Sequence, residues 1–123
     1  MIANHIQLIL IVTGVYTAAA ILQFFAPRLG LTKLTFGADS SDPLTLLLAQ
    51  HWGLLAGLLG GLLVYAAYHP AAREPVVLVA ALEKLGLAGL ILFGRWPRTP
   101  LGTRMAYIDV VIAVIFLLYL GGI

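Results

Sequence analysis

The sequence predicts an all-α integral membrane protein, a bundle of four membrane-spanning helices. One observation behind this prediction is composition: 62% of the 123 residues are hydrophobic and 10% are charged, whereas soluble domains carry roughly 25% charged residues. A second is a set of apolar stretches, each close to the roughly 20 residues that cross a bilayer as a helix. They lie at about residues 2–26, 43–68, 75–94 and 101–120. These stretches use up the chain, so we expect a single transmembrane domain.

The first stretch, residues 2–26, stops before Pro27 because proline cannot continue a helix interior. Its start lacks the basic leader of a signal peptide, so we expect this helix to be retained. Inside it, Gly14 and Ala18 are four residues apart. Small residues at this spacing let two backbones approach closely in lipid, where helix association gains nothing from the hydrophobic effect.

The second stretch, residues 43–68, contains no Lys, Arg, Asp or Glu. It follows Asp42 and begins with Pro43, an acidic cap before a proline at the first helical position. Small residues recur along it at every fourth position: Ala49, Gly53, Gly57 and Gly61. We predict that this ladder is a packing face, either within the bundle or between copies of the chain.

The third and fourth stretches carry the charged residues that fall inside the predicted membrane spans. Residues 75–94 begin at Pro75 and hold Glu83 and Lys84, and residues 101–120 hold Asp109. A charged side chain at the centre of a bilayer costs about 2.5–3.5 kcal/mol on insertion scales. These residues therefore indicate either a functional site or specific pairing inside the bundle.

The distribution of basic residues predicts the orientation of the helices. Five of them lie in or beside the first and third connections: Arg28, Lys33, Arg95, Arg98 and Arg104. The opposite side holds only Arg73. By the positive-inside rule the two basic connections are cytoplasmic. We therefore expect a multi-pass protein of the bacterial inner membrane with both termini outside.

Polar side chains from several helices fall between the predicted midplane and the cytoplasmic face, at depths counted from about 1.5 Å per helical residue. The members of this cluster are Glu83, Lys84, His51, Asp109, Trp52, Gln23 and Tyr107. The functional interpretation is a ligand or proton site in the cytoplasmic half of the bundle. The structural interpretation is that Lys84 pairs with Asp109 and Glu83 bonds His51, so that these contacts only fix the helix packing.

The pattern leaves both interpretations open. Successive helical residues point about 100° apart, so Glu83 and Lys84 are not expected to face one partner, and one of them could meet a neighbouring subunit. For Asp109 the structural interpretation is favoured, because Arg104 and the loop arginines are near enough to neutralise it. A lone histidine in an apolar helix, such as His51, is more often a hydrogen-bonded packing residue than a ligand.

Several kinds of chemistry are unsupported by the sequence. The chain has no cysteine, and its formal net charge of +2 is too small for a nucleic-acid partner. Its histidines lack the neighbouring carboxylates of a metal site, so no bound metal is expected. No nucleophile motif, phosphate loop or dinucleotide fingerprint is present. The sequence therefore indicates neither catalytic residues nor a cofactor.

Three features follow one another along the chain. Gly14 and the exit Phe25-Ala26-Pro27 come first, then the Gly-rich second stretch, and then His69-Pro70 and Arg73-Glu74-Pro75. This order resembles the DoxX-like group of small four-helix bacterial membrane proteins. The resemblance covers most of the chain and implies a four-helix bundle with an accessory or ligand-binding role. It implies no particular substrate and no site residue.

We predict a protein that binds a lipid-soluble or small amphipathic ligand, or a membrane partner, through the polar cluster. One alternative is an oligomeric small transporter or channel, because four short helices enclose little volume on their own. Another is a membrane enzyme that uses Glu83 or His51 as acid and base, and a third is an accessory subunit. The expected partners are membrane lipid and either further copies of the chain or a larger membrane complex.

Overall fold

Four long helices make up most of the structure, a computed structural model that describes residues 1–95, 97 and 99–123. The helices are α1 (Ala3–Phe25), α2 (Pro43–Tyr68), α3 (Pro70–Phe93) and α4 (Pro100–Leu120). Each is long and apolar enough to span a membrane, and the residues described form no strand. The predicted all-α class with four candidate spans is confirmed. Trp96 and Arg98 of the third connection lie outside the described residues.

Helix α1 changes its winding near its end. It is α-helical over Ile6–Ala18, tightens into a 3₁₀ turn at Ala19–Ile21 and finishes with one turn at Leu22–Phe25. The chain then enters a connecting segment made of two short helical turns, Pro27–Leu29 and Gly30–Leu34. This segment leads the chain back over the end of the bundle toward the start of α2.

Ionised carboxylates order the connection between α1 and α2. Arg28 donates from Nε and Nη2 to the Asp39 carboxylate at 2.9–3.1 Å, and this contact lowers the pKa of Asp39 below its usual range. Asp42 caps α2 by accepting from the Thr45 amide at 2.9 Å, which lowers the pKa of Asp42 as well. At a pH above their unfolded-state pKa values, both ionised carboxylates stabilise the connection. The contribution is lost as the pH falls through the lowered folded-state values.

The connection between α2 and α3 is shorter than the sequence predicts. Helix α3 begins at Pro70 rather than near residue 75, so His69 alone separates it from α2. Proline suits a first helical position because the amide it lacks has no helical partner there. Pro75 lies inside α3, where it leaves the Ala71 carbonyl without its helical donor. Ala71 is exposed at the helix end, so this carbonyl is open to solvation, and a second proline close behind the first is tolerated.

Arg73 fixes the corner between α2 and α3. Its Nε donates to the Ala66 carbonyl at 2.9 Å and its Nη2 to the Ala67 carbonyl at 2.7 Å. The last carbonyls of a helix have no donor within that helix, and a cation at this end also complements the helix dipole. Arg73, the basic residue on this side of the bundle, therefore has a structural role as the donor to two carbonyls at the end of α2.

The four helices pack as two pairs of consecutive helices, called here the hairpin pairs. Helix α1 lies along α2 and α3 lies along α4, while α2 also contacts α3. At the end that holds the chain termini and the α2–α3 corner, called here the terminal end, the pairs share an apolar core. Each helix contributes one large, fully buried side chain to it: Leu10, Leu63, Val77 and Phe116. The opposite end, with the two longer connections, is called the loop end.

Small residues bring α2 against α1, backbone to backbone. A Cβ added at Gly60 would lie 2.2 Å from the Ala18 nitrogen, and one at Gly53 would lie 2.8 Å from the Ala20 oxygen. Neither position has room for a larger side chain. Four residues of the predicted packing set face the partner helix in this interface: Ala49, Gly53 and Gly57 of α2, and Gly14 of α1.

Gly61 is the exception and corrects the predicted ladder. A Cβ at Gly61 would meet nothing within 4 Å, and Gly61 is exposed. Gly61 comes twelve residues after Ala49 and, at about 100° per residue, points about 120° away from it. Gly60 comes eleven residues after Ala49 and points within about 20° of it. The contact face of α2 therefore passes through Gly60 at this level.

Candidate functional site

A cavity of about 110 Å³ lies between the two hairpin pairs, on the loop-end side of the shared core. All four helices and the connecting segment contribute to its wall. Most of the wall is apolar, and three charged side chains also line it: Glu83, Lys84 and Asp109. The structure thus brings together the three ionisable residues that the sequence analysis placed inside the spans of α3 and α4. This site is called the inter-hairpin cavity.

Lys84 and Asp109 form a buried ion pair across α3 and α4. The Lys84 Nζ donates to Asp109 Oδ1 at 3.3 Å, and the two residues are only 2% and 4% exposed. The Nζ also lies 5.7 Å from the centre of the Tyr16 ring on α1, within the range of a cation–π contact. Lys84 therefore neutralises Asp109. Arg104, which was predicted to lie near enough to do so, is exposed.

Glu83 lies next to this pair but takes no part in it. Its Oε2 is buried, and no donor among the described residues lies within hydrogen-bonding distance of it. The ion pairs found in the described part of the chain do not include Glu83 either. Buried polar atoms in folded proteins nearly always have a partner. Glu83 thus lines a cavity, and one oxygen of its carboxyl group receives no hydrogen bond from the described residues.

His51 and Tyr107 do not reach the cavity, which corrects their place in the predicted cluster. Both are exposed, Tyr107 by 57%, and neither lines the wall. His51 lies two residues from Ala49 and two from Gly53, which face α1, and a step of two residues turns a helix by about 200°. The same step separates Tyr107 from the buried Asp109. Similar depth along a helix therefore did not place these side chains in one site. The bond between Glu83 and His51 that the structural interpretation proposed is not formed.

Trp52 and Gln23 have different roles. Trp52 is half-buried, lines the cavity and packs against Phe36 with ring centres 5.4 Å apart. Gln23 is fully buried, but its Nε2 donates to the Ala49 carbonyl at 2.9 Å and its Oε1 accepts from Thr35 at 2.6 Å. Gln23 joins α1, α2 and the residue that follows the connecting segment, so its role in the structure is packing.

The sequence analysis did not include three polar residues of the wall, Tyr16, Thr17 and Thr35. Thr17 is three residues from Gly14 and so shares the α1 face that packs on α2, a signal that helical spacing could have supplied. Tyr16 projects from the side of α1 toward Lys84, and only the arrangement of α1 against α3 reveals this. Thr35 follows the irregular connecting segment, where no periodic pattern predicts which side chains turn inward.

A second pocket, of about 340 Å³, lies at the loop end between the connecting region and α3. Its wall is apolar apart from two hydroxyl groups, and it includes Phe36, Leu87 and Ile91. It is larger than the inter-hairpin cavity, but none of the described residues that line it is ionisable. We therefore take the inter-hairpin cavity as the candidate site, since it combines a partly enclosed volume with charged groups.

The described residues contain no group of three or more histidine, cysteine, aspartate or glutamate side chains that could hold a metal ion. Comparison with family models, with curated proteins and with solved structures gives no match. The resemblance to the DoxX-like group accordingly stays a prediction.

Proposed function

We propose that the protein binds a small amphipathic or lipid-soluble molecule in the inter-hairpin cavity. The observation that carries this proposal is Glu83, which lines the cavity and whose buried Oε2 has no donor from the described residues. Ligand pockets are typically apolar with a few polar groups that orient the ligand, and this wall has that composition. In this proposal the chain is a multi-pass protein of the bacterial inner membrane with both termini outside, consistent with the basic residues near its loop end.

The volume of the cavity limits the size of the ligand. A dry apolar cavity of about 150 Å³ is able to hold benzene, and this cavity measures about 110 Å³. The part of the ligand that enters is therefore a short apolar group, with a polar group directed to Glu83. A larger molecule would leave the rest of its body between the hairpin pairs or in lipid.

Native mass spectrometry of the mildly solubilised protein tests binding directly. We expect the wild-type chain to carry a reproducible extra mass, and Ala56→Leu to lose it, because Ala56 lines the cavity and a longer side chain would fill it. Gly61→Ala is the matched control on the same helix: it adds a methyl group where a Cβ meets nothing within 4 Å, so it keeps the extra mass. An oligomer with nothing bound would contradict the proposal and favour the transporter or channel.

Glu83→Gln is expected to raise the stability of the empty protein. An unpaired charge costs more to bury than an unpaired neutral polar group, so replacing the carboxylate with the neutral amide should increase the free energy of unfolding by about 1 kcal/mol. The melting temperature in detergent measures this. A functional residue that is kept at a cost in stability behaves in this way.

Glu74→Gln is the control for that measurement. Glu74 lies on the same helix and is exposed, so its substitution should change the free energy of unfolding by less than about 0.5 kcal/mol. A clear loss of stability in Glu83→Gln would indicate that the Glu83 carboxylate supports the fold, and would remove the observation on which the proposal rests.

A further inference from the structure

The charges of the inter-hairpin cavity do not balance. Its acidic and basic side chains are Glu83, Lys84 and Asp109, two carboxylates and one ammonium, which leaves one negative charge in excess when all three are ionised. Tyr16 is the other titratable residue of the wall and is neutral in its usual state. Helix α2 adds only Trp52 and Ala56 to the wall, so it supplies no compensating cation.

The one ammonium in the wall is already engaged. Lys84 Nζ donates to Asp109 Oδ1 at 3.3 Å and faces the Tyr16 ring. No ion pair in the described part of the chain involves Glu83. Because a partly buried charge without an ion-pair partner is costly, a positive charge from a ligand would stabilise the state of the cavity in which Glu83 is ionised.

Anionic, neutral and cationic ligands differ in how well they would compensate the excess negative charge of the cavity. An anionic ligand would place a third negative charge beside two carboxylates. A neutral alcohol could donate a hydrogen bond to Glu83 but would leave the charge uncompensated. A protonated amine supplies both the donor and the positive charge, and charge-assisted hydrogen bonds of this kind are roughly twice as strong as neutral ones. Aromatic side chains of the wall, Tyr16 and Trp52, also suit a cation.

We propose that the inter-hairpin cavity binds a small organic cation, a protonated amine with a short apolar group, whose ammonium donates to the Glu83 carboxylate. The apolar group lies against the small and apolar part of the wall, which includes Ala20, Ala56 and Met105. This inference rests on the proposed function and specifies the chemical class of its ligand.

Fluorine NMR of the full chain in lipid nanodiscs tests the inference with two matched probes, trifluoropropylamine and trifluoropropanol. They have the same apolar group and differ in charge. We expect both to give saturable shifts with wild type, the amine at a concentration at least about tenfold lower. Glu83→Gln should reduce this preference to less than about threefold, whereas Glu74→Gln, on the same helix but exposed, should keep it.

Each result has a separate meaning. If the amine and the alcohol saturate at equal concentrations and Ala56→Leu abolishes both signals, the cavity binds ligands but the cation assignment is overturned. If the preference for the amine survives in Glu83→Gln, the role of Glu83 is overturned. If neither probe saturates with wild type, and native mass spectrometry also finds no bound mass, both this inference and the proposed function fail.

Discussion

Gly60→Ala is expected to lower the free energy of unfolding in detergent by about 3 kcal/mol or more, the upper end of the range for overpacking. The new methyl carbon would lie 2.2 Å from the Ala18 nitrogen and 2.6 Å from its Cα. These are backbone atoms, so no side chain can rotate to make room, and α1 has to move away from α2. Because α1 and α2 form one wall of the inter-hairpin cavity, ligand binding should weaken in the same variant.

Gly61→Ala is the control for that experiment, because it changes the neighbouring glycine of the same helix. Alanine has the higher helix propensity at both positions, but at Gly61 it meets nothing within 4 Å. We expect its free energy of unfolding to stay within about 1 kcal/mol of wild type. Equal losses in the two variants would mean that both glycines face a partner, such as a second copy of the chain. If both variants kept the wild-type free energy of unfolding, this result would contradict the close contact of α1 with α2.

Lys84→Met is expected to destabilise the protein by about 3–5 kcal/mol, the cost of leaving a buried charge without its partner. It removes the Lys84 ammonium from a wall that also holds Asp109 and Glu83. Asp109→Leu should cost less than Lys84→Met, because the adjacent Glu83 carboxylate then remains as a negative charge near Lys84. Thermal or denaturant unfolding in detergent would give both values.

The double variant Lys84→Met with Asp109→Leu tests whether the two residues stabilise the protein through their contact with each other. Buried ion pairs replaced by apolar residues of similar size are often neutral in stability, so the double variant should recover most of the loss and show strong coupling in a double-mutant cycle. Arg104→Met is the control, an exposed cation on α4 whose loss should cost less than about 0.5 kcal/mol. Losses that simply add in the double variant would argue against the contact between Lys84 and Asp109.

The centre of the candidate site could be predicted because charges inside a membrane span are few. Glu83, Lys84 and Asp109 stand out in the sequence for that reason alone, and one of the predicted pairings, Lys84 with Asp109, is the contact that the structure contains. Glu83 could not be assigned in the same way. Its distinguishing feature is the lack of a partner among the described residues, and this depends on every neighbour that packing brings near it.

The sequence by itself determined that the chain forms four long apolar helices, because length, hydropathy and proline positions act over a few turns of chain. It also determined the cap at Asp42, where the carboxylate and the Thr45 amide are close in sequence. Tertiary structure decided which side chains meet, because that depends on how each helix is rotated about its axis. A shift of one residue turns a side chain by about 100°, which is why Gly60 and not Gly61 contacts α1, and why Tyr16 lines the cavity while His51 lies outside it.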